Sequence, residues 1–212
     1  MFFAFFASQK SMAATTTDFS AHFSIKSLSE SGIASLPSSY VWKYVNDRSI
    51  LDSSDDPFPI IDFSLLTSNN SEQRCKAIQD LGQACEQWGC FLLINHGFPE
   101  SLINRMMDGV KGFFNLSDEE KKEFQGKNIS DPIKCGSSMN GVTEVRSWRD
   151  FLKVFVHPEF HFPHKPAGFS DTAFEYVKLM RELTRELLNG ISKSLGLEPN
   201  YICKAMKMEP SF

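Results

Sequence analysis

Apolar positions along this chain fall into runs of two kinds, short continuous ones and longer ones with helical spacing. Phe58 to Phe63 is a short apolar, β-branched run between Pro57 and Ser64, and its length predicts a buried strand. Ile78, Leu81, Cys85 and Trp88 then recur at steps of three and four. Asn70 with Gln73 can form a capping box and Gly89 stands where a left-handed C-cap belongs, so a helix is predicted over 71–88. Cys90 to Asn95 is again continuous and apolar, closed by His96-Gly97, which predicts a strand buried on both faces. Pro99 opens a second helix with Leu102, Ile103, Met106, Val110, Phe113 and Phe114 on one stripe, and Ser117 to Glu120 is an S-x-x-E box that starts a short further one.

Glycine, asparagine and serine dominate between Gln125 and Ser147, a composition that predicts a loop of about twenty residues, long enough to serve as a lid or pocket wall. Trp148 to Val156 reads as a strand. Ser170 caps a long helix whose apolar face is predicted as Phe174, Val177, Met180, Leu183, Leu187, Ile191 and Leu195, ending at Gly196, with a last short helix from Pro199 to Met206. Upstream, Ile25, Leu28 and Ile33 suggest a short helix before Leu36-Pro37 and an extended arm through Tyr44, and Asn46 to Pro57 is a polar loop. No stretch repeats at a fixed period.

Composition narrows the function. The chain has 212 residues, 42% apolar and 23% charged, with 20 Phe, which suits an aromatic core and excludes disorder throughout. The net charge is -4 and no Lys/Arg cluster exceeds Lys121-Lys122, which argues against nucleic acid as a partner. The five cysteines are an odd number with no C-x-x-C pair, a pattern of reduced thiols that points to the cytoplasm. Phe2 to Ala7 is apolar but short and has no basic residue before it, so it is a poor signal peptide, and no run has the length of a membrane span. Residues 1–23 are therefore expected to be a disordered leader, and residues 24–212 an α+β domain.

An ordered set of motifs carries a family likeness. Phe58-Pro59-Ile60-Ile61-Asp62-Phe63, Cys85-Glu86-Gln87-Trp88-Gly89, Phe91-Leu92-Leu93-Ile94-Asn95-His96-Gly97, Phe113-Phe114-Asn115-Leu116-Ser117-Asp118-Glu119-Glu120-Lys121 and Trp148-Arg149-Asp150-Phe151-Leu152 resemble, in this order, the N-terminal region of plant 2-oxoglutarate/Fe(II)-dependent dioxygenases of the flavanone 3-hydroxylase-like kind. The resemblance spans about Phe23 to Phe212. It implies a mostly helical non-haem dioxygenase N-terminal domain that lends a few strands to a jelly-roll (double-stranded β-helix) barrel lying further along the polypeptide. It also implies hydroxylation or desaturation of a small plant specialised metabolite or hormone, with Fe(II), 2-oxoglutarate and ascorbate as cofactors of the complete enzyme. The chemistry of such enzymes rests on an H-x-D pair with a distant His for the metal, and on an R-x-S pair for the 2-oxoglutarate carboxylate.

Those pairs are absent from the sequence: none of the five histidines is followed two residues later by Asp, and no arginine is followed two residues later by Ser. The chain is accordingly expected to be either a fragment lacking its barrel, inactive by itself and without bound cofactor or metal, or a non-catalytic binding or regulatory module. Strands left without their barrel partners would make self-association through exposed edges an expected property.

Within the likeness, Lys134 to Asn140 corresponds to the family's contribution to the substrate pocket, which implies Cys135 and Asn140 as substrate-binding residues. Cys135 departs from the aromatic residue common at that position. A rival reading is a metal site at His157, Glu159 and His161. On a straight strand the outer pair would stand about 13 Å apart, too far for metal bonds of about 2.1 Å, so only a bend could assemble it. His96, after an apolar strand and before Gly97, is expected to hydrogen-bond a backbone carbonyl. No G-x-S-x-G, P-loop, G-x-G-x-x-G or H-E-x-x-H pattern is present.

Overall fold

The computed structural model describes residues 24–37, 40–41, 57–128, 130–139 and 146–208. The predicted leader, the arm beyond Val41, most of the 46–57 loop and Asn140 lie outside the described residues. The chain divides into two units, one built from the described residues within 54–103 and 175–212, the other from those within 12–53 and 104–174.

In the first unit β1 (Ile60–Asp62) leads straight into α2 (Phe63–Leu66), and α3 (Ser71–Gln87) carries the chain to β2 (Leu92–Ile94). The two strands are parallel, with Ile60 opposite Leu92 and Asp62 opposite Ile94. α3 starts where the sequence says it should. The Asn70 side chain accepts hydrogen bonds from the Glu72 and Gln73 amides at 3.0 and 3.2 Å, satisfying amides that have no intrahelical acceptor. The reciprocal half of the predicted capping box is not made, because Gln73 turns to the Ser68 hydroxyl instead, at 3.3 Å. At the other end Gly89, with φ +67°, donates its N–H to the Ala84 carbonyl at 3.1 Å and ends the helix.

α2, one face of α3 and the inner side of β1 form a core of Ile61, Leu66, Ala77, Leu81 and Ala84, against which Leu93 of β2 and, from α6 (Phe169–Ser194), Leu187 and Ile191 pack. Gly190 makes that approach possible: a Cβ there would stand 2.9 Å from Leu81 Cδ2. The strands depart from expectation, since β2 is not buried on both faces. Leu92 and Ile94 are 37% and 44% exposed, and Ile60 of β1 is 59% exposed. Strand alternation sends Ile61 and Leu93 into the core and their neighbours to the opposite face, which is left open.

The second unit holds α1 (Ile25–Glu30), most of α4 (Glu100–Asn115), α5 (Asp118–Lys121), a 3₁₀ turn at Lys122–Phe124, and an antiparallel pair, β3 (Ile133–Met139) with β4 (Arg146–Val154). β3 corrects the sequence reading, which made all of 125–147 a loop. Ile133, Cys135 and Met139 alternate with Lys134, Gly136 and Ser138, but Ser137 interrupts the apolar parity, and the pairing of Ile133, Cys135 and Ser137 with Val154, Leu152 and Asp150 makes the strand. Phe113, Phe124, Cys135 and Phe169 form the core here. The Phe169 ring lies against α4 at Gly109, where a Cβ would come within 2.2 Å of it.

α6 has the predicted length but not quite the predicted face. Phe174 and Leu195 are exposed, at 55% and 64%, and the buried positions are Phe169, Ala173, Tyr176, Leu183, Leu188, Gly190 and Ser192. The predicted residues run in three steps of three and then three of four, and at 3.6 residues per turn this puts Phe174 about 180° and Leu195 about 120° around the helix from Leu183, so both ends leave the buried face. α7 (Tyr201–Ala205) closes the described chain.

Candidate functional site

Among the described residues, three places bear on a site. The first is the β3–β4 hairpin. Cys135 sits in β3 opposite Leu152, 6% exposed, among Phe113, Phe124 and Phe169. Its thiol is 3.6 Å from the Lys121 carbonyl. Burial pushes that thiol up to about 11 from its ordinary value, since the thiolate would lose its water. The side chain therefore packs inside the second unit, among those rings. Asn140, the other predicted substrate residue, lies beyond the described end of β3.

Two residues on from Cys135, the Ser137 hydroxyl donates to Asp150 Oδ1 at 2.8 Å. The same carboxylate accepts the backbone N–H groups of Ile25 at 2.8 Å and Lys26 at 3.2 Å, the first turn of α1. Ser27 of α1 also donates to Asp118 at 2.8 Å. Burial works against the Asp118 carboxylate, but hydrogen bonds from Ser27 and Lys121 hold it below its ordinary value.

The second place is the mouth of the parallel pair. Asn95, with φ +52°, and Gly97, with φ +77°, turn the chain sharply after β2. The Asn95 side chain donates to Asp62 Oδ2 at 2.8 Å. The Ser64 hydroxyl, and then Asn95, hold the Asp62 carboxyl below its ordinary value. His96 has a structural part, as expected, but with a different partner: its Nδ1 accepts the Phe98 N–H at 3.2 Å, a backbone amide and not a carbonyl. A shallow groove of about 290 Å³ opens beside this turn, with Phe63, Phe98, Leu179 and Leu183 as its apolar side and His96 and Arg185 among its polar groups. Sequence reading missed it, because its walls come from segments far apart in the chain and each wall taken alone reads as ordinary amphipathic helix or turn.

The third is the His/Pro-rich stretch after β4. The chain does bend there, with the His161 N–H donating to the Phe155 carbonyl at 2.9 Å. His161 Nε2 lies 3.5 Å from Glu159 Oε2. Among the described residues, however, no three His, Cys, Asp or Glu side chains converge closely enough to hold a metal ion. Nor is any helix among them long and apolar enough to cross a membrane.

Comparison with known proteins gives this arrangement a family. Residues 58–173 match the model of the non-haem dioxygenase N-terminal domain, described from morphine synthesis. The chain belongs to that family, the N-terminal region of plant 2-oxoglutarate/Fe(II) dioxygenases. It is 43% identical to 2-oxoglutarate-dependent dioxygenase 19 of Oryza sativa subsp. japonica over 73% of this chain and 46% of that protein. With Protein DMR6-LIKE OXYGENASE 1 of Arabidopsis thaliana it shares 34% identity over 79% of this chain and 49% of the relative. With leucoanthocyanidin dioxygenase of Perilla frutescens it shares 32% over 82% and 52%. The chain thus spans about half the length of the curated relatives it matches. The fold agrees with the crystal structure of JOX2 in complex with 2OG, Fe and JA at a TM-score of 0.69 and 22% identity, covering 89% of this chain and 54% of that one.

Proposed function

We propose that this chain is the N-terminal part of an enzyme that uses Fe(II) and 2-oxoglutarate to oxidise a small plant metabolite, by hydroxylation or desaturation, and that the 212 residues alone are inactive. The match of residues 58–173 to the dioxygenase N-terminal domain carries this reading. In the complete protein the metal and 2-oxoglutarate, with ascorbate, would supply the oxidising power; the residues present here do not fit that group, since no H-x-D or R-x-S pair occurs in the sequence. What this chain contributes is scaffold and part of the substrate wall. The β3–β4 hairpin is the segment we assign to that wall, with Asn140 orienting the substrate by hydrogen bonding and Cys135 packing beneath it.

The apolar face of Ile60, Leu92 and Ile94 supports the same reading, because it is the kind of surface that further strands of a jelly roll would cover. It also favours a second reading, a binding module that offers this face to a partner chain. Reading the transcript past the codon for Phe212 separates the two. The enzyme reading expects an H-x-D pair, a distant His and an R-x-S pair to follow, and a stop at that codon in the mature transcript sinks it. The longer protein should release succinate from 2-oxoglutarate, while the 212-residue chain should neither hold stoichiometric iron nor do so. Iron and succinate from the short chain would overturn the proposal and turn attention to His157, Glu159 and His161.

A further inference from the structure

Asp150 is the point where three separate segments of the second unit meet. Its carboxylate accepts from the Ile25 and Lys26 amides of α1 and, on the oxygen nearer Ile25, from the Ser137 hydroxyl of β3. Ile25 is buried, at 6% exposed, and Ser24 closes the same turn by accepting the Ser27 N–H at 3.1 Å. A charged acceptor with three donors is among the stronger local restraints a protein can build, because removing it strands several polar groups at once. The two amides are also distant in sequence, Ile25 standing 125 positions and Lys26 124 positions before Asp150.

We infer that Asp150 is a positioning residue, a clasp through which α1 sets the conformation of the β3–β4 hairpin. The six-residue α1 is too short to hold its shape alone. With the clasp closed, α1 and the hairpin form one unit, and the register of Ser137, three residues before Asn140, depends on a helix near the start of the chain. Without it, α1 frays and the hairpin loses its brace. The consequence for substrate rests on the reading that this hairpin borders the substrate site; the clasp itself does not.

Hydrogen exchange on the 212-residue chain tests it. Asp150→Ala should speed exchange of the Ile25 and Lys26 amides, and of the amides of Ile133 to Ser137, at least about tenfold, leaving α3 of the first unit at its parental rates. Removing residues 1–30 should speed the hairpin amides similarly, and adding Asp150→Ala to that deletion should change them less than it does in the full chain, since its main partner is already gone. Asp150→Asn keeps one side-chain acceptor and should fall between parent and alanine variant. Parental exchange at Ile25 and Lys26 in Asp150→Ala overturns the inference, as does full multiplication of the deletion and Asp150→Ala effects. Should the alanine variant lose protection in α3 as well, Asp150→Asn decides: unchanged exchange at both amides with α3 intact overturns the clasp. None of these readouts depends on oxygenase activity, so the failure of the proposed function and the failure of the clasp are distinguishable.

Discussion

Cys135 was legible as an unusual residue in a position that the family resemblance tied to the substrate, but only the packing shows that its thiol is enclosed. Its folded pKa, pushed up to about 11, means that the native state favours the protonated thiol. This contribution to stability is full below the unfolded value and declines as the pH rises from there toward about 11. At about pH 8 the exposed Cys75 and Cys90 should react with a thiol-labelling reagent while Cys135 remains protected until the chain unfolds; mass spectrometry of labelled peptides would read this directly, and equal labelling of all three would contradict the burial. Gly109 makes a second residue-scale case. It lies inside α4, where sequence rules count glycine as a mild defect, yet its missing Cβ admits the Phe169 ring. Gly109→Ala should therefore destabilise, by about 1 to 3 kcal/mol in denaturant unfolding, where helix propensity alone would stabilise by about 1 kcal/mol. The sign of the shift decides between them.

At the scale of elements, starts and stops were the readable part. Ser117 and Glu120 make the full capping box, with the Ser117 hydroxyl accepting the Glu120 amide at 3.3 Å and Glu120 Oε2 accepting the Ser117 amide at 3.1 Å. Capping is local chemistry, decided within one turn, so the S-x-x-E pattern sufficed. Ser117→Ala should cost about 1 kcal/mol in urea unfolding. The Ser117 hydroxyl, then its amide, hold the Glu120 carboxyl below its ordinary value of 4.5. Its contribution is thus present above that pH and lost as pH falls through the lowered folded value, and the acid limb of the melting-temperature profile should flatten in the variant. β3 was hard to read, because Gly136, Ser137 and Ser138 obscure the alternation of Ile133, Cys135 and Met139, and β4 supplies the pairing that makes it a strand. The same holds for the exact face of α6, which depends on what packs along twenty-six residues.

At the scale of the whole molecule, the exposed face of the parallel pair has a consequence in solution. Ile60, Leu92 and Ile94 are joined in exposure by Phe58 and Trp88, whose rings meet edge to face at 5.5 Å. Apolar surface of this kind binds other apolar surface. The purified 212-residue chain should bind a hydrophobic dye and associate with rising concentration in sedimentation velocity; a monodisperse monomer that melts sharply without binding dye would show that the face is covered. By itself the sequence determined the order of most helices and strands, the caps at Asn70 and Ser117 and the family, because these rest on spacing and on chemistry within a few residues; the predicted cap Ser170 instead lies inside α6, which starts at Phe169. Which side of β1 and β2 is buried, that residues 133–139 form a strand, that Cys135 is enclosed and that Asp150 ties α1 to the hairpin were decided only by the tertiary structure. Each of these depends on groups brought together from distant parts of the chain, and no local pattern records which partner will arrive.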